Sequence, residues 1–320
     1  MKKLSKKILI TGGAGYIGQN LISFFLKKNC KIYVIDNLST SKTLNQYIKQ
    51  KVNFYKIDLT EEKKVKNFFI SKNFDLIIHL AAFSGVKEFN KNVQKSFNNN
   101  VLATKNLVKF AFKKQNTKLI FSSSAAVYGK VSREKISEQN ICNPANYYGL
   151  SKLACENIIN NAFKNKKNNY AILRYFNVVG SIVNFKIPKK INSLLDVISK
   201  NIKNKKYKIN INGKSFNTKD GTPERDFIHI SDLCRIHKKT YEYLSKKRNV
   251  ILNCGSGLRY SVLQIVKAFE KKINIKFRIS YKITNFDETQ TICSNIELLR
   301  SLLKTNIEKK DIKDLIKDYL

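Results

Sequence analysis

A chain of 320 residues and 37.0 kDa is longer than one compact core usually holds, and at roughly 150 residues per domain it predicts about two lobes. With 42% hydrophobic and 26% charged residues it reads as globular, and its longest apolar runs, 21–26 and 76–83, fall well short of the ~18 residues a membrane span needs. A net charge of +38 alone would suggest a nucleic-acid or membrane-surface partner, but 53 of the 61 basic residues are dispersed lysines and no block reaches five like charges, so neither partner is expected.

The opening MKKLSKKILI joins lysines to an apolar stretch, yet that stretch is too short for a signal peptide and runs straight into TGGAGYIG with no cleavage site. Residues 7–11 read as a strand, and 16–28 carry Ile17, Leu21, Phe24 and Phe25 at helical spacing. Strand patterns recur at 31–35, 52–57, 76–80, 118–122 and 170–175, with helical patterns at 60–71, 93–112 and 151–164 among them. The alternation predicts an α/β fold, a Rossmann-type doubly wound parallel sheet followed by a smaller C-terminal substrate-binding domain. Beyond Asn177 it weakens around Pro188. There DGTPERDF at 220–227 reads as a turn-rich loop, 250–253 as a last strand and 261–271 as a helix. The six cysteines (30, 142, 155, 234, 254 and 293) form no C-x-x-C pair, which predicts reduced thiols, a cytoplasmic protein and no metal site.

In TGGAGYIG at 11–18, Gly12 permits a tight turn, Gly15 lets backbone approach a pyrophosphate, and Gly18 allows close helix–sheet packing. The helix N-terminus behind them offers unpaired N–H groups to phosphates. Asp36, eighteen residues past Gly18, ends the second strand where a carboxylate accepts from ribose hydroxyls. The same charge repels a 2′-phosphate, so NAD is expected over NADP.

Tyr148 and Lys152 are four apart and share a helix face. A phenol of pKa ~10 needs ~4 kcal/mol of differential stabilisation to act as a base near pH 7. One ammonium about 4 Å away supplies that amount at an effective dielectric of roughly 20. Ser124, beyond a central strand, joins them.

These residues carry a resemblance. TGGAGYIG, DNLSTS at 36–41, HLAA at 79–82, NNNV at 98–101, SSSAAVYG at 122–129, YYGLSK at 147–152, LRYFN at 173–177, DGTPERDFIHISDL at 220–233 and NCGSG at 253–257 stand in family order. The chain resembles the extended short-chain dehydrogenase/reductase family of NAD-dependent epimerases and dehydratases, most closely its UDP-sugar 4-epimerase branch. The resemblance implies an NAD-binding Rossmann domain over 1–176 plus 226–255 and a nucleotide-sugar-binding domain over 177–225 plus 256–320. Gly12, Gly15, Tyr16, Ile17, Asp36, Asn37, Asp58, Leu59, Ala81, Asn99, Ser122, Tyr148, Lys152 and Tyr175 would then hold NAD. Ser124, Tyr148 and Lys152 would be catalytic, with Tyr148 the base, while Ser124, Asn177, Arg225 and Thr291 would meet the UDP-hexose. A homodimer formed through two helices of the first domain is implied as well. His79 and His229 fit no nucleophile or metal pattern and are expected to be structural.

Dehydrating relatives need an Asp–Glu pair after the serine of this motif; here Ala125 and Ala126 can neither give nor take a proton. The resemblance therefore implies 4-epimerisation through a transient 4-keto sugar. Three positions depart from the branch: Ser84 replaces a frequent lysine (with Lys87 close by), Thr284 an arginine near the diphosphate, and Ser193, beside Asn192, an Asn or His. Thr291 stands where a tyrosine would crowd N-acetylated sugars, which implies room for an acetamido group. Another NAD-dependent nucleotide-sugar epimerase or reductase, and a non-catalytic NAD-binding regulator, stay open as alternatives.

Overall fold

Apolar runs too continuous to leave a face in water need cover on both sides, and a parallel sheet between two helix layers provides it. The computed structural model describes residues 5–41, 43–84, 89–90, 92–112, 116–131, 135–164, 167–183, 193–246, 249–282, 289–305, 307 and 310–320. Lys87, Pro188, Asn192 and Thr284 lie outside the described residues.

In chain order the first half holds β1 (Lys7–Thr11), α1 (Tyr16–Leu26), β2 (Lys31–Asp36), α2 (Gln46–Lys49), β3 (Asn53–Lys56) and α3 (Glu62–Ile70). It continues with β4 (Leu76–His79), α4 (Val93–Ala111), β5 (Lys118–Ser124), α5 (Tyr147–Phe163) and β6 (Tyr170–Tyr175). Then come β7 (Asn177–Val179), α6 (Leu194–Lys203), β8 (Lys208–Asn212), β9 (Glu224–His229), α7 (Ile230–Leu244) and β10 (Val250–Cys254). The last elements are β11 (Arg259–Ser261), α8 (Val262–Ile273), β12 (Arg278–Lys282), β13 (Thr291–Ile292), α9 (Glu297–Leu303) and α10 (Ile312–Ile316).

Seven parallel strands pair in the order β3-β2-β1-β4-β5-β6-β10. Alternate residues serve opposite cores. Ile8, Ile10, Val34, Ile78 and Ile120 pack with Leu21 of α1 and Leu233 of α7. Leu9, Ile35, Ile77, Leu119 and Phe121 pack with Val65 of α3, Leu107 of α4 and Ile159 of α5. Each fully buried Leu, Ile or Phe contributes about 1.5–3 kcal/mol, so the sheet is anchored from both sides. The strand order reverses between β1 and β4, the switch point at which an open α/β sheet leaves a crevice at its carboxyl edge.

Two readings from the sequence are corrected. Only the first residues of DGTPERDF form a turn; Glu224–His229 is a strand, β9, central to a smaller sheet β11-β9-β13 that also carries β7. Its polar residues hid it, because Asp226 is fully buried and takes its donors from far along the chain. The helix read from 151 starts at Tyr147, capped by Asn146, whose side chain accepts from the Gly149 N–H at 2.9 Å. Val179, Leu195, Ile198, Phe227, Ile265 and Phe269 form the core behind the smaller sheet. Ile296, Leu299 and Leu303 return to the first core, where α9 packs on α7 and β10. Among the described residues no helix is long and apolar enough to cross a membrane.

Candidate active site

The turn from β1 into α1 has no room for a side chain at Gly12 or Gly18. Gly12 sits at φ +70°, and a Cβ there would lie 2.6 Å from the Ala81 nitrogen at the end of β4. A Cβ on Gly18 would lie 2.6 Å from the Gly12 carbonyl oxygen. Close backbone approach is what a pyrophosphate cradle requires, and α1 begins at Tyr16 with its first N–H groups at this point.

Asp36 closes one end of the crevice. Its carboxylate accepts from the Ala14 N–H at 3.0 Å and the Leu38 N–H at 2.8 Å. About four lone-pair sites on a carboxylate leave further capacity for ribose hydroxyls. Burial raises its pKa, opposed by those two N–H donors. Asn37 donates to Asp58 at 2.9 Å, and Thr60 donates to Asp58 through both its N–H and its hydroxyl.

At the other end, Ser124 terminates β5, and its hydroxyl accepts from the Ala126 N–H at 3.2 Å. Ser124 lies beside the Tyr148 phenol. The electrostatics differ from the expectation that Lys152 depresses the Tyr148 phenol. Burial pushes Tyr148 upward, and the neighbouring Ser124 hydroxyl is the opposing influence. Lys152 instead donates to the Ser122 carbonyl oxygen at 2.8 Å and lies 5.0 Å from the centre of the Phe121 ring. Its own pKa is lowered by burial to about 8. The ammonium is thus tethered to backbone, where it stays available to a ligand in the cleft.

One open cleft runs from Asp36 and Asp58 to Tyr148 and Lys152; Ser124, beside Tyr148, does not line it. Each residue expected to hold NAD, from Gly12 to Tyr175, lines it. Ser39, Thr40, Phe83 and Ser123 line it too and were assigned no role from the sequence, and so does Ser84, which stands where the branch often has lysine. Asn100 was also missed: it is buried, accepts from the Phe83 N–H at 2.8 Å, and donates to the Phe83 carbonyl and to Ser151. Asn99 next to it lines the cleft, so one of two adjacent asparagines faces the ligand space and the other pins its wall.

Asn177, Arg225 and Thr291 gather around β9 and do not line this cleft. Asn177 donates to the Asp226 carbonyl at 3.0 Å, Arg225 to the Glu224 and Gln290 carbonyls, and Thr291 to the Glu224 carboxylate at 3.1 Å. Thr291 is buried. The Ser193 hydroxyl caps α6 by accepting from the Asp196 N–H. His79 bridges Thr11 at 2.7 Å and Thr104 at 3.1 Å, and burial, followed by the nearby Lys152, lowers its pKa to about 3. His229 caps α7 through Ser231 and pairs with Asp318 at 2.9 Å. Both positions are those of neutral or paired struts at element ends.

The fold and cleft together define a dinucleotide-dependent enzyme with serine, tyrosine and lysine at the carboxyl edge of its sheet. The sequence profile of the NAD dependent epimerase/dehydratase family matches residues 8–255. A UDP-glucose 4-epimerase of Dictyostelium discoideum is 34% identical over 85% of this chain and 82% of its own. The UDP-Glc/GlcNAc 4-epimerase of Campylobacter jejuni superposes with a TM-score of 0.84 at 32% identity, over 98% of both chains. The Bifidobacterium longum UDP-glucose 4-epimerase, solved with NAD+ and UDP, gives 0.89 at 28% identity, over 98% of this chain and 96% of that one. The chain belongs to the NAD dependent epimerase/dehydratase family.

The glycine turn generates a direct prediction. Purified protein, denatured and filtered, should release NAD(H), with NAD bound in preference to NADP. Gly12→Ala combines a strained φ with a backbone clash at Ala81 and should abolish cofactor retention. A variant that released wild-type amounts of NAD(H) would contradict this account of the turn.

Proposed function

We infer that the protein interconverts UDP-hexoses at C4, UDP-glucose with UDP-galactose, with NAD as its cofactor. The observation that carries this reading is that Tyr148 and Lys152, one helical turn apart, both line a dinucleotide cleft, with Ser124 beside the phenol. When bound, NAD supplies the hydride acceptor for C4 and the donor that returns it. Tyr148 takes the proton of the 4-hydroxyl, leaving a 4-keto sugar, and gives it back after the ketone has turned in the pocket. Ser124 holds the same oxygen. Ala125 and Ala126 follow Ser124 in a 3-10 turn and bring no acid to expel water, so the ketone persists until it is reduced.

The division of labour along the chain is an NAD-binding domain over 1–176 plus 226–255 and a nucleotide-sugar domain over 177–225 plus 256–320. Two separate hydrophobic cores support it, with α9 folding back onto the first. In this reading Arg225 meets the diphosphate, as its planar fork suits two oxygens at once, and Asn177 stands beside it. We assign the enzyme as a cytoplasmic homodimer, paired through α4 and α5. The six free cysteines and the exposure of Leu102 (41%) and Leu150 (44%) on those two helices support that assignment.

Substrate breadth follows from Thr291. The resemblance puts a tyrosine there that would crowd an acetamido group on C2, and we propose that the smaller threonine admits it. The Campylobacter jejuni enzyme, named for both plain and N-acetylated sugars, supports the wider range.

Tyr148→Phe should keep fold and NAD but lower kcat by at least ~10²-fold, the usual scale of general acid–base catalysis, and Ser124→Ala should cost less. Near-wild-type turnover by Tyr148→Phe would refute the mechanism. Because Lys152 titrates at about 8, the rate should also decline as pH rises through that value. Thr291→Tyr should suppress interconversion of the N-acetylated pair and largely spare the plain one; equal loss on both would remove Thr291 from the pocket.

A further inference from the structure

Beneath the cleft lies a polar layer that the proposed mechanism does not use. Ser123, Arg174 and Asn253 occupy matching register positions on β5, β6 and β10. Ser123 lies on the same strand face as Leu119 and Phe121, which pack with α5. Glu156 reaches into this layer from α5. One of its oxygens accepts from the Ser123 hydroxyl and from Arg174 Nε at 3.1 Å, and the other accepts from Arg174 Nη2 at 2.7 Å. Arg174 Nη1 donates to the Tyr128 hydroxyl at 2.9 Å, and Tyr128 donates to Asn253 Oδ1 at 2.8 Å. All five residues are buried.

Burying a charged pair costs several kcal/mol per ion in desolvation, and apolar residues of equal volume often serve stability as well or better. What an ionic, hydrogen-bonded layer adds is a fixed register, since its partners meet in only one alignment. Here the register matters. Tyr148, Lys152 and Glu156 recur every fourth residue along α5, one above the next. On β5, Ser124 meets Tyr148, Ser122 meets Lys152, and Ser123 meets Glu156.

We propose that Glu156, clamped by Arg174 and bonded to Ser123, is a positioning residue that sets the axial register of α5 on β5 and so holds Tyr148 against Ser124. It touches neither sugar nor cofactor. Its negative charge also favours the ammonium form of Lys152, one turn away. The rate consequence rests on the epimerase reading above; the geometric consequence does not.

The test uses full-length, NAD-loaded protein. Ser123→Ala removes one hydrogen bond and leaves the ion pair, so it keeps the fold. It should lower kcat per NAD-loaded enzyme about tenfold, with KM unchanged, as expected from the loss of one such bond. Glu156→Gln should lower kcat further and move the alkaline limb of its pH profile to lower pH. A readout independent of turnover is the 13Cζ resonance of Tyr148, assigned by its loss in Tyr148→Phe, which should shift in Ser123→Ala as the phenol moves relative to Ser124. A wild-type 13Cζ resonance in folded Ser123→Ala would overturn the proposal whatever the sugar chemistry. Should Glu156→Gln fail to fold, Ser123→Ala decides alone. Inactive wild type with a shifted resonance would overturn the epimerase reading and uphold the positioning role.

Discussion

The turn after β1 and the end of β4 approach each other more closely than any side chain permits, with Gly12 against the backbone of residues 80 and 81. That contact falls where the strand order reverses, so it both closes the sheet at its switch point and opens a crevice above it. Everything functional is arranged around this constraint. Asp36 at the end of β2 reaches back to the Ala14 N–H of the turn, and β5 brings its serines to the same edge on the far side. A larger residue at Gly12 would therefore disturb the ligand surface and the seam between the two sides of the sheet together.

The other side of the cleft depends on α5. Asn146 starts the helix early enough for Tyr148 to lie within it, and the four-residue repeat then brings Tyr148, Lys152 and Glu156 to β5 in turn. Burial raises the phenol and lowers the ammonium, so each is pushed toward its neutral form. A buried phenol needs positive charge to ionise, and the Ser122 carbonyl keeps the Lys152 cation at the cleft wall. Preorganisation of this kind places the charge before the substrate arrives.

Much of this was legible in the sequence because the residues involved are local. The first strands are short apolar runs buried on both faces, and the glycine turn, Asp36 and the Tyr148–Lys152 spacing are each carried by neighbours in the chain. What escaped depends on distant partners. β9 reads as a loop because Asp226 looks solvent-seeking; its donors are Ser256, Gly257 and Ser294, distant in sequence. The helix α7 went unmarked because His237 and Thr240 interrupt its apolar stripe, although both are fully buried. The tether of Lys152 is a backbone carbonyl, which no side-chain pattern announces.

The central claim is that a hydrogen leaves C4 of the sugar and returns to the other face of the same carbon without meeting solvent. Incubating UDP-galactose with the enzyme in deuterium oxide and following the sugar protons by NMR tests it directly. The account predicts that UDP-glucose appears with its C4 proton retained. Deuterium at C4, or no UDP-glucose at all, would contradict it.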